Sequence, residues 1–328
     1  MRERRNDIIE LDHRLLSTML EPIFPDAHVA EVQLLSGGFS NSNYHIRFAE
    51  PGISVVLRLH AGEGMIDHAY TTAQKEWEIM HLLQQNQAVV LPEPLYADLN
   101  GTRMGRPYTI MSFVAGERLS DLLVGRDRQT VGACAYAAGQ TLAALHAVTF
   151  PHPGFFGPNL TTQPQVDTDG EGWRDYIAQC LTGHSRTWLG AELSEKLWQF
   201  VLAHQAEVAT LPAQTVLVHA DYNGKNILMQ TTAEGWQVAA VLDWEFAFAG
   251  SPLFDIGIFL RHEDDLSPDY AQEFERGYRA AGGALPPNWR RLGKLLDLLN
   301  LCEFLNTPHS RPRIVAEMIQ LIEALLSI

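Results

Sequence analysis

Eight consecutive residues, His219-Ala220-Asp221-Tyr222-Asn223-Gly224-Lys225-Asn226, stand between two short apolar runs, TVLVH and VAAVLDW. The first run ends on His219, and the second delivers Asp243. Both runs have the β-branched and apolar make-up of buried strands. The spacing His-x-Asp-x-x-x-x-Asn therefore predicts a strand-flanked loop with a carboxylate and an amide five residues apart. A second carboxylate follows at the end of the next strand. Few folds need three oxygen-bearing side chains in that arrangement, so this stretch constrains the chain more than any other.

Composition limits the function classes. With 46% hydrophobic and 19% charged residues, the chain reads as globular. No run approaches the roughly 18 apolar residues of a membrane span, and MRERRNDIIELDH has no apolar core behind its basic residues. Cys134, Cys180 and Cys302 are odd in number and far apart, which argues against disulfides or zinc and fits a reducing cytoplasm. A formal charge of -15 excludes nucleic acid as an expected partner. Up to Ser112 there are 14 acidic against 9 basic residues, and after it 25 against 15. The excess suits either a cationic small molecule or a solvated acidic surface.

The front of the chain is β-rich. VQLLSGGFSNSNYHIRF is interrupted by Gly37-Gly38, SVVLRLH has strand length, and RPYTIMSFVAG ends at Gly116. Between the last two, AQKEWEIMHLLQQ carries Trp77, Met80, Leu82 and Leu83 on one helical face. The order predicts a small antiparallel sheet with one packed helix. From about residue 117 the pattern is mainly helical, from VGACAYAAGQTLAALHAV to IVAEMIQLIEALLSI, with a long loop expected over residues 158–172.

Phosphoryl transfer needs a carboxylate near the attacking hydroxyl, hard oxygen ligands for Mg²⁺, and donors around the phosphates. Asp221, Asn226 and Asp243 match that kinase pattern. Over LVHADYNGKNILM and VLDWEFAFAGSPLFDIG the sequence resembles the aminoglycoside phosphotransferase and choline kinase group, with a weaker likeness through most of the remaining chain. The resemblance implies an α+β, bilobal, protein-kinase-like fold with ATP or GTP between the lobes. Residues 1–112 would be the nucleotide-binding lobe of sheet and helix, and 113–328 the helical catalytic and substrate-binding lobe, with a hinge at about 111–116. It implies Asp221 as catalytic base, and Asn226 and Asp243 as Mg²⁺ ligands. His219 and Asp255 would be architectural, bracing the catalytic loop.

Other positions carry over from the same likeness. Arg58 stands where a basic side chain meets the α- and β-phosphates, with Glu76 as its ion-pair partner and Glu78 as the rival. The stretch from Ser36 to Asn43, with Gly38 and Ser40, is placed to fold over phosphates, or is an ordinary hairpin turn. Backbone groups of Ser112 and Val114 would bind adenine, with Met111 behind the base and Leu228 beneath it, unless those two are plain core. Lys225 departs from the family, which often has a small residue there; it contacts a phosphate or points to solvent. Asn223 is read as a bridge from base to substrate, and Glu245 as reaching the metals through water.

Protein kinases place a long peptide-binding segment between the two aspartates that match Asp243 and Asp255. Here the two are only 12 positions apart, no A-P-E follows, and the motif reads H-A-D. A small-molecule acceptor is therefore expected: an aminoglycoside or similar cationic compound, choline or ethanolamine, or a sugar or amino alcohol. Glu263, Asp264, Asp265 and Glu303 are candidates for its ammonium groups or are exposed acids, and Trp173, Tyr176, Asp297 and Phe304 are weaker candidates. The alternative is a non-catalytic nucleotide-binding scaffold of the same fold. The expected protein is a cytoplasmic monomer or homodimer without nucleic-acid or membrane partners.

Overall fold

The computed structural model describes residues 8–26, 28–35, 41–50, 52–60, 71–87, 89–163, 170–211, 214–309 and 311–327. The chain forms two compact units, a smaller β-rich one and a larger, mainly helical one, in a bilobal protein-kinase-like fold. The first unit comprises residues 1–116 together with Gly157–Thr161 and Ala239–Glu245. The second holds the rest of the chain.

In the first unit, α1 (His13–Leu20) precedes β1 (Val29–Leu34), β2 (Ser42–Phe48) and β3 (Ser54–Leu59). The helix α2 (Thr72–Asn86), β4 (Pro94–Asp98) and β5 (Tyr108–Ser112) follow. The five strands are antiparallel in the order β1-β2-β3-β5-β4. Strand side chains alternate between faces, and the sheet uses that period. Tyr44, Ile46, Phe48, Val55, Leu57, Leu59, Tyr108 and Ile110 form one apolar face, buried with Leu16, Met19 and Leu20 of α1. The opposite face carries chemistry: register pairs Asn43 with Arg58, Arg58 with Thr109, and Val56 with Met111.

Two elements go beyond the sequence expectation. The short helix α1 is fixed by an N-cap, with Leu15 N–H donating to Asp12 Oδ1 at 2.7 Å. Strand β4 begins with Pro94, which a sheet tolerates because β4 is an edge strand. Neither has the long periodicity that reveals an element in one sequence.

The second unit opens with β6 (Glu117–Arg118), α3 (Leu119–Leu122) and α4 (Arg128–Leu145). Next come β7 (Phe155–Phe156), β8 (Thr162–Gln163), α5 (Gly170–Thr182) and α6 (Ser185–Val208). The strands β9 (Val216–Val218), β10 (Ile227–Thr232) and β12 (Phe248–Gly250) flank the motif, together with β11 (Gly235–Val241), whose last three residues belong to the first unit. The closing helices are α7 (Leu253–Phe259), α8 (Asp269–Ala280), α9 (Trp289–Leu305) and α10 (Pro312–Leu325). β9 pairs with β12 and β10 with β6, so both strands bordering the His219–Asn226 loop are anchored. Helices α7 and α9 cross at Gly257 and Gly293, where a Cβ on Gly257 would strike the Gly293 carbonyl. That close approach brings α7 against the N-terminal third of α9.

Candidate active site

In the helical unit, the His219–Asn226 loop hangs from a single buried carboxylate. Asp255, in the first turn of α7 and 0% exposed, accepts from the backbone N–H groups of His219 and Ala220, both at 2.8 Å. His146 Nε2 donates to Asp255 at 3.1 Å, and Tyr278 O–H donates to His146 Nδ1 at 2.9 Å. Ala220 has φ +63°, a left-handed conformation that costs a non-glycine residue on the order of 1–2 kcal/mol. The two N–H bonds to Asp255 hold it there. His219, fully buried, accepts from the Asp221 N–H at 3.2 Å.

The Asp221 carboxylate is gripped by two amides. Asn223 Nδ2 donates to Oδ1 at 2.5 Å and Asn226 Nδ2 to Oδ2 at 2.7 Å. These two bonds fix the direction of the Asp221 carboxylate, which as an ionised acid is an acceptor only. With its NH₂ turned to Asp221, Asn226 has its carbonyl oxygen free of hydrogen-bond partners among the described residues. Lys225 is exposed, and its backbone N–H donates to Asn223 Oδ1 at 2.9 Å. Leu228 is half-buried on β10 opposite Arg118.

The β-rich unit assembles a separate charged cluster around Arg58, buried on β3. Its Nε lies 3.2 Å from Glu76 Oε2, its Nη2 donates to Asp243 Oδ1 at 2.7 Å, and Glu245 Oε2 is 3.6 Å away. Glu78 instead accepts from Gln74 Nε2 and the Leu160 N–H, so Glu76 is the carboxylate on Arg58. Burial pulls the Arg58 pKa down, but Glu76, Asp243 and Glu245 more than offset it and hold the guanidinium above its ordinary value. Asp243 has φ +70°, a second strained non-glycine position. Its Oδ2 makes no hydrogen bond among the described residues, and the side chain is 28% exposed. Asn226 Oδ1 in the helical unit and Asp243 Oδ2 in the β-rich unit are each a hard oxygen with spare capacity, the ligand type that Mg²⁺ takes.

Glu245 is enclosed in the same cluster and accepts from Asn41 Nδ2 at 3.0 Å. Burial, then the neighbouring Asp243 charge, pushes its carboxyl up to about 7 from 4.5, against the pull of Arg58. The folded protein therefore holds a proton between about pH 4.5 and 7 that the unfolded chain has released. Stability should fall by about 1–3 kcal/mol as pH rises across that window. Urea denaturation in Mg²⁺-free buffer should show this slope, and Glu245→Gln, which keeps the Asn41 bond, should flatten it. Lys75, lowered to about 8 chiefly by burial, is a second cation near Glu245 and Glu76.

The remaining candidates divide. Ser112 N–H already donates to the Glu93 carbonyl at 2.9 Å, while Val114 makes no backbone hydrogen bond among the described residues. Met111 is buried on β5. Gly38 and Ser40 lie outside the described residues. Glu263 is bound by Lys294 at 2.9 Å, Asp264 lies 3.6 Å from the same ammonium, and Asp265 is 3.8 Å from His262. Glu303 accepts from Tyr176 O–H at 2.7 Å, and Trp173 is core, donating to the Leu295 carbonyl. Asp297 takes Arg261 in a bidentate pair. His146, Tyr278, Lys75 and Arg261 have no motif spacing to announce them; only the fold brings them to these positions.

The phosphotransferase enzyme family matches residues 31–295, a span that contains both clusters. The chain belongs to that family. As a member of the phosphotransferase enzyme family, it is 28% identical over 227 residues to acyl-CoA dehydrogenase family member 10 of Mus musculus, covering 67% of this chain and 19% of that protein. It is 27% identical over 262 residues to acyl-CoA dehydrogenase family member 11 of Gallus gallus, covering 78% and 31%. The chain thus spans less than a third of the length of these curated relatives. Its fold is similar to a thermostable mutant of aminoglycoside phosphotransferase APH(4)-Ia solved in ternary complex with AMP-PNP and hygromycin B. There the TM-score is 0.67, with 22% identity and coverage of 95% and 98% of the two chains. At that identity the likeness shows the fold. None of the described helices is long and apolar enough to cross a membrane.

Proposed function

We propose that this chain transfers the γ-phosphoryl group of ATP or GTP to a hydroxyl of a small molecule, with Asp221 as the base. The observation that carries this reading is the Asp221 carboxylate, oriented by two amides on a loop pinned through Asp255. Asp221 accepts the hydroxyl proton as the hydroxyl oxygen bonds to the γ-phosphorus and the bond to the β,γ-bridging oxygen breaks. Asn226 and Asp243 are the proposed Mg²⁺ ligands, and Mg²⁺ supplies charge neutralisation to the phosphates. Arg58, paired with Glu76, is the proposed cation for the nucleotide, and the unspent backbone groups of Val114 support adenine recognition there.

For the acceptor, two readings have specific support. A hydroxylated cation of the aminoglycoside type is supported by the formal charge of -15 and by a relative of this fold solved with hygromycin B. An acyl-bearing hydroxyl compound is supported by the two curated relatives, both named for the acyl-CoA dehydrogenase family. The test is Mg²⁺-dependent ATP and GTP turnover over a panel of aminoglycosides, amino alcohols, sugars and hydroxyacyl compounds. Phosphorylation of one class above the hydrolysis background is the expected result. Nucleotide binding with no acceptor ever phosphorylated would favour a non-catalytic scaffold and sink the enzyme reading.

A further inference from the structure

Arg58 is surrounded by more acid than its charge requires. Glu76 Oε2 lies 3.2 Å from its Nε, Asp243 Oδ1 accepts from Nη2 at 2.7 Å, and Glu245 Oε2 is 3.6 Å from the same Nη2. The side chains of Glu76 and Glu245 are only 4% and 10% exposed. Enclosing a carboxylate costs free energy unless it is paired and hydrogen-bonded. Glu76 and Asp243 already neutralise the guanidinium, and 3.6 Å is too long for a hydrogen bond from Arg58 to Glu245. Pairing with Arg58 therefore does not explain why a third acid stands here.

A second contact does. Glu245 Oε2 accepts from Asn41 Nδ2 at 3.0 Å, across 204 positions of sequence. Asn41 is 6% exposed and immediately precedes β2; two residues on, Asn43 stands directly opposite Arg58 in the β2–β3 register. All of these residues belong to the β-rich unit. One carboxylate oxygen thus lies between the start of β2 and the guanidinium on β3. A bond to a charged acceptor is stronger than one between neutral groups, and burial keeps water from replacing it. The Nη1 group of Arg58 makes no hydrogen bond among the described residues, so the fork keeps donors for an anion. Oxyanion recognition by a fork depends on its placement, and a shift of about 1 Å is enough to lose much of it.

We propose that Glu245 is a positioning residue for the nucleotide triphosphate: through Asn41 it fixes the start of β2 beside Arg58 and so holds the guanidinium where the phosphates meet it. This rests on the reading of Arg58 as the cation for the nucleotide. The test is calorimetric titration of the full chain with Mg²⁺ and AMP-PNP and, separately, with adenosine, which has no phosphates. Glu245→Ala and Asn41→Ala should each weaken AMP-PNP binding at least tenfold and leave adenosine within twofold. A defect in folding alone would weaken both ligands. The double variant should lose no more than twofold beyond the worse single variant, because the two side chains form one link. Glu245→Gln keeps an acceptor for Asn41 without the charge, and it should recover at least half of the loss on a logarithmic scale. Additive losses, equal weakening of adenosine, or a glutamine variant as weak as the alanine one would overturn the proposal, the last by making charge and not the bond to Asn41 the cause. If the unaltered protein binds AMP-PNP no more tightly than adenosine, the reading of Arg58 fails and the proposal with it.

Discussion

Asp221→Asn is expected to lower kcat by about 10²–10⁴-fold, the range a general base contributes, while the KM for nucleotide changes little. The structure adds a reason why the substitution is not silent even before catalysis. Both carboxylate oxygens accept from amide NH₂ groups, Asn223 at 2.5 Å and Asn226 at 2.7 Å. An amide at position 221 must turn its own NH₂ toward one of these donors, so one bond becomes a repulsion. Asp221→Ala, which removes that conflict, should show a similar loss of kcat. Steady-state kinetics with the best acceptor from the panel checks both. A kcat within tenfold of the unaltered protein in either variant would remove Asp221 from the role of base.

Asp255→Ala should destabilise the protein by about 3–5 kcal/mol and abolish turnover together. The carboxylate is fully buried and accepts three hydrogen bonds, from two backbone N–H groups and from His146. Bonds to a charged group contribute about 1.5–3 kcal/mol each, and the abandoned N–H donors add their own desolvation cost. Without them nothing offsets the left-handed conformation of Ala220. Asp255→Asn should fall between, because its carbonyl serves one N–H while its NH₂ opposes another donor. Urea denaturation measures the stability change, and a loss below about 1 kcal/mol for the alanine variant would contradict the clamp described here.

These two aspartates differ in how they could be read. Asp221 stands in a fixed spacing with His219 and Asn226, and chemistry alone explains why a carboxylate and an amide belong together there. Asp255 was assigned to bracing only through family likeness, because nothing local in SPLFDIG says what its carboxylate meets. The partners His146 and Tyr278 lie 109 residues before it and 23 after it, and only the packing of α4, α7 and α8 brings them to it. Likewise the sheet order β1-β2-β3-β5-β4 puts Arg58 on the face where Glu76, Asp243 and Glu245 can reach it. From the sequence, Glu76 and Glu78 were rivals; burial on α2 separates them.

The acidic run was the reverse case. Glu263, Asp264 and Asp265 look alike along the chain, but in space Glu263 is enclosed and paired with Lys294 at 2.9 Å, whereas Asp264 and Asp265 stay exposed. Set against the kinase likeness, the 12 positions from Asp243 to Asp255 leave little room for a peptide platform, while local pattern by itself determined the spacing of Asp221, Asn226 and Asp243, the β-rich first unit and the helical second unit. Those follow from periodicity and spacing, which act over a few residues. The tertiary structure alone decided which charges are spent and which are left over. Ion pairs and buried hydrogen bonds join residues tens to hundreds of positions apart, and their partners are chosen by helix and strand packing. In the His219–Asn226 loop, spacing singles out Asp221, while the fold supplied the Asp255 carboxylate that holds the loop and the His146 and Tyr278 side chains behind it.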